Sequence, residues 1–76
     1  MTAKAYVLIE IQVGRTKQVI DAMRKLPGVV SVDSVTGPYD AIAIVQTETL
    51  TEIGTIIMEK ARPTAGISRT VTCLAL

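Results

Sequence analysis

Residues 26–45 read LPGVVSVDSVTGPYDAIAIV, and this stretch decides the fold. Its Pro-Gly pair ends a helical pattern, because the residue before a proline is driven out of the helical region. Two runs rich in β-branched and small apolar residues, VVSVDSVT and AIAIVQ, flank a second turn of the type Gly-Pro. The stretch predicts a helix end followed by two strands, the second of which begins at Tyr39 or Asp40.

Apolar residues occupy both faces of the second of these strands. Ala41, Ala43 and Val45 point to one side, and Ile42 and Ile44 point to the other. Both faces must be covered, and helices of the same chain can cover only one of them. The chain has 76 residues, of which 49% are hydrophobic, and a domain of this size buries only ~60% of its unfolded surface. We therefore expect a homo-oligomer, at least a dimer.

The segments before this stretch predict a strand and a helix. KAYVLIEIQV, residues 4–13, carries an apolar residue at each odd-numbered position, which is typical of a strand with one face in a core. TKQVIDAMRKL, residues 16–26, places apolar residues on one helical face, with Thr16 as the expected N-cap.

The segments after it predict a second helix and a last strand. Thr49 and Glu52 form a T-x-x-E capping box, and the helix that it opens has an apolar stripe starting at Leu50. GISRTVTCLAL, residues 66–76, predicts the strand. Strict alternation places Arg69 on the face of Ile67, so we expect Arg69 to lie at a strand edge or to pair with an acidic residue across an interface.

The element order β-α-β-β-α-β is typical of one fold class. It predicts an α+β, ferredoxin-like sandwich, with residues 1–76 forming a single domain. Right-handed crossovers place both helices on one face of an antiparallel sheet. The other face stays bare, which suggests a dimeric α+β barrel made by sheet-to-sheet packing.

The composition excludes several kinds of chemistry. The chain has no histidine and one cysteine, Cys73, so it can build neither a Cys-His nucleophile pair nor an internal disulfide. A zinc or haem site has few candidate ligands, and we expect no cofactor. The net charge of +1 and the lack of a basic stripe give no electrostatic sign of nucleic-acid binding. No signal peptide and no apolar run of about 20 residues is present, which predicts a cytoplasmic protein without a membrane contact.

In their order and spacing these segments resemble the effector-binding domain of the Lrp/AsnC family of transcriptional regulators, also called the RAM domain. The resemblance is carried by AYVLIEI, by the 26–45 stretch with its G-x-[YF]-D turn, and by GISRTVTCLAL. It covers essentially the whole chain. Full-length regulators carry a DNA-binding helix-turn-helix before this domain, for which there is no room before Lys4. The resemblance implies a sensing and oligomerising module without its own DNA-binding domain.

The resemblance also implies partners and a binding site. The partners are an amino-acid effector, full-length regulators of the family, and further copies of the chain in a dimer or an octamer of four dimers. The ligand-binding positions are Gly37, Tyr39 and Asp40 in the turn and Ser68, Thr70 and Thr72 in the last strand. Asp40 would accept from the effector's ammonium, and hydroxyl and turn N–H groups would donate to its carboxylate.

Each of these residues has an ordinary structural interpretation as well. Asp40 can brace the turn by accepting from backbone amides. Tyr39 can pack against a neighbour, and a row of hydroxyl groups is common on a strand.

Two other functions compete with sensing. Small dimeric α+β barrel enzymes of the monooxygenase type share this architecture, but they typically use His, Asn or Trp near the cavity, and this chain has none of the three. An RNA-recognition domain shares the element order, yet it stacks bases on strand aromatics, and only Tyr6 lies clearly within a strand here. We therefore expect a non-enzymatic module that does not bind nucleic acid directly.

Overall fold

The computed structural model describes residues 2–76, which form a four-stranded antiparallel sheet with helices on one face. The elements are β1 (Ala3–Ile11), α1 (Thr16–Arg24), β2 (Val29–Ser34), β3 (Ala41–Thr47), α2 (Leu50–Ile56), a π-helical turn (Ile57–Ala61) that continues α2, and β4 (Ile67–Leu74). The strand order is β2-β3-β1-β4. The predicted ferredoxin-like β-α-β-β-α-β fold is confirmed.

The hydrophobic core lies between the sheet and the helices. β1 contributes its odd-numbered residues up to Ile11, as the alternation predicted, and β3 contributes Ala41, Ala43 and Val45. The predicted core position of Val13 is wrong, because β1 ends at Ile11 and Val13 is fully exposed. β2 contributes Val32, and the helical segments supply the remaining buried side chains, which are Val19, Ile20, Met23, Ile53, Ile56, Ile57 and Ala61.

The opposite face of the sheet carries an apolar centre that this chain does not cover. Residues directly opposite in an antiparallel pair lie on the same face, so Leu8 shares this face with Ile42 on β3 and Val71 on β4. Tyr6 similarly lies beside Ile44. These side chains are half-buried or exposed in the single chain, as expected for a sheet face that is not packed against helices. Charged residues surround the centre: Lys4, Glu10, Asp33 and Arg69.

The two helices begin in different ways. The Thr49 hydroxyl accepts a hydrogen bond from the Glu52 N–H at 3.2 Å and donates to the Glu52 carboxylate at 3.2 Å. This confirms Thr49 as the predicted N-cap; within residues 2–76 the Glu52 side chain contacts the Thr49 hydroxyl and not its backbone N–H, so the box is formed only in part. The predicted cap of α1 is wrong: Arg15 is the N-cap and makes no capping side-chain bond, and Thr16 is already helical. Leu50, which was expected in the apolar stripe of α2, is 56% exposed.

The capping box gives a first testable prediction. Thr49→Ala removes the side-chain acceptor at the start of α2 and is expected to lower the free energy of unfolding by about 1 kcal/mol. Urea denaturation followed by circular dichroism measures this change. Thr51→Ala is the matched control, because Thr51 is exposed in the same helical turn and caps nothing. Equal stabilities of the two variants would show that the box does not hold the helix.

Candidate functional site

Asp40 joins three strands at one end of the sheet. Its carboxylate Oδ2 accepts from the Ile11 N–H at 2.8 Å, and its own N–H donates to the Ile9 carbonyl at 2.9 Å. Its carbonyl accepts from the Val35 N–H at 3.0 Å, just after β2. β3 begins at Ala41, so the chain before Asp40 no longer offers a ladder carbonyl to the Ile11 N–H. The Asp40 carboxylate accepts this hydrogen bond in its place. Asp40 therefore braces the turn in the single chain.

The rest of the turn is open to its surroundings. Gly37 has φ +129°, a conformation that side chains rarely adopt, and no atom lies within 4 Å of the place where its Cβ would be. The turn therefore needs glycine for backbone geometry, while the space beside it is free in the single chain. Pro38 is exposed, and Tyr39 and Asp40 are half-buried.

A β-bulge changes the predicted faces of β4. Glu10 lies opposite Arg69, whereas Ile11 lies opposite Ile67, so Ser68 is an extra residue on β4. The prediction that Arg69 shares a face with Ile67 is wrong for this reason. Ile67 lies on the helix side with Ile11, and Arg69 lies on the uncovered face beside Glu10, an acidic residue of its own chain.

The same bulge places the hydroxyl residues of β4 beside the helices. Thr70 lies opposite Ile9 and Thr72 opposite Val7, both of which are buried under the helices. Ser68 and Thr70 line a groove of about 240 Å³. Thr72 lines a separate groove of about 360 Å³ beside α2. The predicted hydroxyl row is thus divided between two grooves.

Two arginines border the first groove. Arg62, just after the π-helical turn, and Arg69 line it together with Ser68 and Thr70, although the side chain of Arg69 lies on the other face of the sheet beside Glu10. The Arg62 guanidinium and two hydroxyl groups can donate hydrogen bonds to a carboxylate. Arg62 was not predicted as a site residue, because a basic residue before a proline is typical of a helix end. Its place in the groove depends on the loop to β4.

The turn and this groove lie at the same end of the sheet but on either side of β1. The carboxylate of Asp40 lies in the ladder between β3 and β1, and the β4 hydroxyls lie beyond β1. Two inter-strand spacings, about 9.5 Å, separate β3 from β4. The β1 backbone fills the direct path, so no single amino acid can bridge Asp40 and Thr70 within one chain.

Other kinds of site have little support in the described residues. Within residues 2–76, no three His, Cys, Asp or Glu side chains are grouped so that they could hold a metal ion. None of the helices described is long and apolar enough to span a bilayer.

HTH-type transcriptional regulators of Pyrococcus are among the proteins that this chain resembles in sequence. An uncharacterized HTH-type transcriptional regulator of Pyrococcus furiosus is 36% identical over 59 residues, which are 78% of this chain and 39% of that protein. The chain thus spans about two fifths of the length of the curated relatives it matches.

Solved structures extend the comparison. A crystal structure from Thermus thermophilus has a TM-score of 0.92 and 35% identity, covering 97% of this chain and 92% of that one. The complex of a Neisseria meningitidis transcriptional regulator with L-Met has a TM-score of 0.85. It is 16% identical, covers 97% of this chain and 49% of that one, and shows the fold alone.

A family model described as the Lrp/AsnC ligand binding domain matches residues 4–76, which include β1 from its second residue and every later element of the fold. The chain therefore belongs to the Lrp/AsnC ligand binding domain family.

Proposed function

We propose that the chain is a small-molecule sensing and oligomerising module in the cytoplasm, and that its effector is an amino acid bound between copies. One observation carries this proposal: the turn carboxylate and the arginine-hydroxyl groove are two half-sites of opposite charge at the same end of the sheet. β1 separates them within the chain. A second copy that presents its groove to the turn would complete the pocket.

The chemistry of the half-sites suits a zwitterion. The Asp40 carboxylate has acceptor capacity beyond its bond to Ile11, so it can take the ammonium while it still braces the turn. Arg62 and the Ser68 and Thr70 hydroxyls can donate to the carboxylate. We propose that Gly37 and Tyr39 form the wall of the site beside Asp40. Thr72 is its most distant member, because it lines the other groove.

The uncovered sheet face supports assembly. Leu8, Ile42, Ile44 and Val71 are apolar and only half-buried, and no helix or strand of the described part of the chain packs over them. We propose that two copies pack these faces against each other as a dimeric α+β barrel, and that octamers of four dimers are the larger form.

We further propose that the module acts through the regulators it joins, without DNA contacts of its own. Residues 4–76 match a ligand binding domain, and the chain's net charge is only +1. An enzymatic role is not favoured, because the matched relatives are described as transcriptional regulators and the chain has no histidine for acid-base catalysis.

The dimer proposal predicts the effect of a charge on the sheet face. Ile44→Lys would bury an unpaired ammonium in the interface, which costs several kcal/mol, and the dimer is expected to become a monomer at micromolar concentration. Light scattering measures the mass. Lys17→Ala is the control, because Lys17 is exposed on α1, on the other side of the sheet. A dimeric Ile44→Lys would place the interface elsewhere.

The effector proposal predicts stabilisation by an amino acid. A ligand at one hundred times its dissociation constant stabilises the folded state by ~2.7 kcal/mol, which thermal unfolding detects. L-Methionine is the first probe, since the Neisseria meningitidis regulator is described as a complex with L-Met, and the other common amino acids follow. If no amino acid shifts the melting temperature at millimolar concentration, the effector proposal is wrong for this chain.

Asp40 variants separate bracing from ligand contact. Asp40→Ala leaves the Ile11 N–H without its acceptor and is expected to cost about 1–3 kcal/mol of stability. Asp40→Asn keeps an acceptor but removes the charge. It should lose ~1.5–3 kcal/mol of amino-acid affinity while ligand-free stability falls by less than in Asp40→Ala. Titration calorimetry and urea denaturation give the two quantities. Unchanged affinity in Asp40→Asn would leave Asp40 a purely structural residue.

A further inference from the structure

The turn between β1 and α1 presents one apolar side chain, that of Val13, to solvent. Val13 is 102% exposed. The turn is held at both ends: the Arg15 N–H donates to the Gln12 carbonyl at 3.0 Å, and the Gln12 N–H donates to the Gly66 carbonyl at 2.8 Å. Gly14 has φ +82°, a positive value that the third residue of a type II turn requires. Val13 is thus fixed at the tip of a tight turn, and no packing among residues 2–76 accounts for an apolar side chain there.

This turn lies between the two proposed half-sites. β3 and β4 pair antiparallel with β1 on its two sides, so the segments that lead into both strands lie at the end of β1. Asp40 is bonded to Ile11 on the β3 side, and the groove at Ser68 lies on the β4 side. Val13, two residues beyond Ile11, lies in the middle. A surface that contacts both half-sites of one copy therefore also passes over Val13.

The two flanks of the turn carry opposite charges. On the β4 side, Arg15 is exposed and packs against Gly66, where an added Cβ would lie 3.0 Å from the Arg15 Cβ. Arg62 lines the groove on the same side. On the β3 side lie Asp40 and, near the end of β2, the exposed Asp33. The end of the sheet thus has a basic flank, an apolar centre and an acidic flank, in that order.

This order is complementary to itself. A two-fold rotation about an axis perpendicular to the sheet at the tip of β1 exchanges the two flanks. A second copy in this orientation sets its basic flank against the acidic flank of the first copy, and its acidic flank against the basic one. Two-fold contacts between identical chains are built in this way, from one patch that both copies use. The charge pattern therefore selects a second copy of the chain over a partner surface of a single charge.

We propose that two copies pack end to end about this axis, with Val13 of one copy against Val13 of the other. The inference rests on the proposed function, because it names the orientation in which a second copy presents its groove to the turn. Both effector pockets then form together, one on each side of the Val13 contact. Each pocket combines the Asp40 carboxylate of one copy with Arg62, Ser68 and Thr70 of the other.

The end contact is compatible with the sheet-to-sheet dimer, because the two contacts use different surfaces. Glu10 lies opposite Arg69 on the uncovered face, so these two charges are already neighbours within one chain and do not belong to the end pattern. A chain with two isologous contacts, one at its face and one at its end, joins dimers in series. Such a series can close into a ring, and the proposed octamer of four dimers is one ring of this kind.

The size of the end surface indicates how the contact responds to a ligand. β1 has nine residues and is about 30 Å long, so the strands run along the 38 Å axis of the molecule. The surface at their end is at most about 370 Å², because the other two extents are 22 × 17 Å. A standard interface buries ~800 Å² per partner. The contact is therefore weak alone, and an effector bound to both copies strengthens it by mass action.

The first test is a cross-link at the axis. Val13→Cys combined with Cys73→Ser places one thiol per chain beside its counterpart, and mild oxidation should join the chains through position 13. Thr55→Cys combined with Cys73→Ser is the control, because Thr55 is exposed on α2 beside Pro27, at the other end of the sheet. The control should give no cross-link above random collision. Equal yields in the two proteins, or none from Val13→Cys, would exclude an axis at Val13.

The second test is the concentration dependence of assembly. Wild-type protein should form species larger than a dimer as its concentration is raised to the millimolar range in sedimentation velocity. Val13→Lys sets two ammonium groups against each other at the axis, and the concentration that these species require should rise about tenfold or more. Val13→Leu, which keeps the apolar contact, and Thr55→Lys, which adds a charge elsewhere, should behave like the wild type. A Val13→Lys protein that assembles like the wild type, including the case in which neither exceeds a dimer, would overturn the proposal.

Two further measurements separate this contact from folding and from effector binding. Because Val13 is fully exposed, the melting temperature of Val13→Lys without ligand should equal that of the wild type, and a fall would contradict an open contact surface at Val13. The cross-link requires no effector. A chain that cross-links through position 13 but binds none of the common amino acids would refute the effector proposal alone. A chain that binds an amino acid but does not cross-link would refute the end contact alone.

Discussion

The hydrogen bond from the Ile11 N–H to the Asp40 carboxylate holds the end of the sheet at which both proposed half-sites lie. Ile11 is buried, and an unsatisfied buried N–H costs about 1–3 kcal/mol. β3 cannot supply the acceptor from its backbone, because it begins at Ala41 and the chain before it turns away. On the other side of β1, the bulge at Ser68 interrupts the regular ladder at the same level. One side chain therefore fixes the end of β1 where its regular pairing ends on both sides.

This hydrogen bond bears on whether Asp40 braces the turn, contacts a ligand, or does both. Bracing and ligand contact looked like alternatives in the sequence, yet a carboxylate has two oxygens and several acceptor sites, and Ile11 uses only one oxygen. Under the proposed function both roles are combined in one group. A ligand that draws on this carboxylate acts directly on the residue that ties Val35, Ile9 and Ile11 together. Binding at the turn and rigidity of the sheet end are then linked, and the linkage is reciprocal.

Local signals were sufficient for most elements, although the local predictions of Thr16 as the cap of α1 and of Val13 as a core residue were wrong. Alternation identified the buried faces of β1 and β3, and the T-x-x-E pattern identified the cap of α2, because each depends on residues close together in the chain. The bulge at Ser68 was not predicted: Arg69 interrupts the apolar positions of ISRTVT, but only pairing with β1 shows that one residue is extra. That single residue moved Arg69 to the other face. Leu50 fits an apolar stripe in the sequence, but whether a stripe is covered depends on a distant element, and among residues 2–76 none buries Leu50, which is 56% exposed. Arg62 belongs to the groove only through the tertiary path of the loop to β4.

The interior of the chain is poorly suited to transmit a signal by internal rearrangement. Its core side chains are almost completely buried between one sheet and two helices, and such closely packed interiors resist gradual deformation. The features left incomplete lie outside this core: a sheet face that the described residues leave uncovered, and the proposed half-sites divided by β1. A ligand that binds between copies and not to a single copy stabilises the assembly by mass action. Couplings of this kind are typically ~1–3 kcal/mol, enough to change populations five- to 150-fold. Under the proposed function, sensing requires only that the effector change which copies are held together, and the fold of each copy can stay the same.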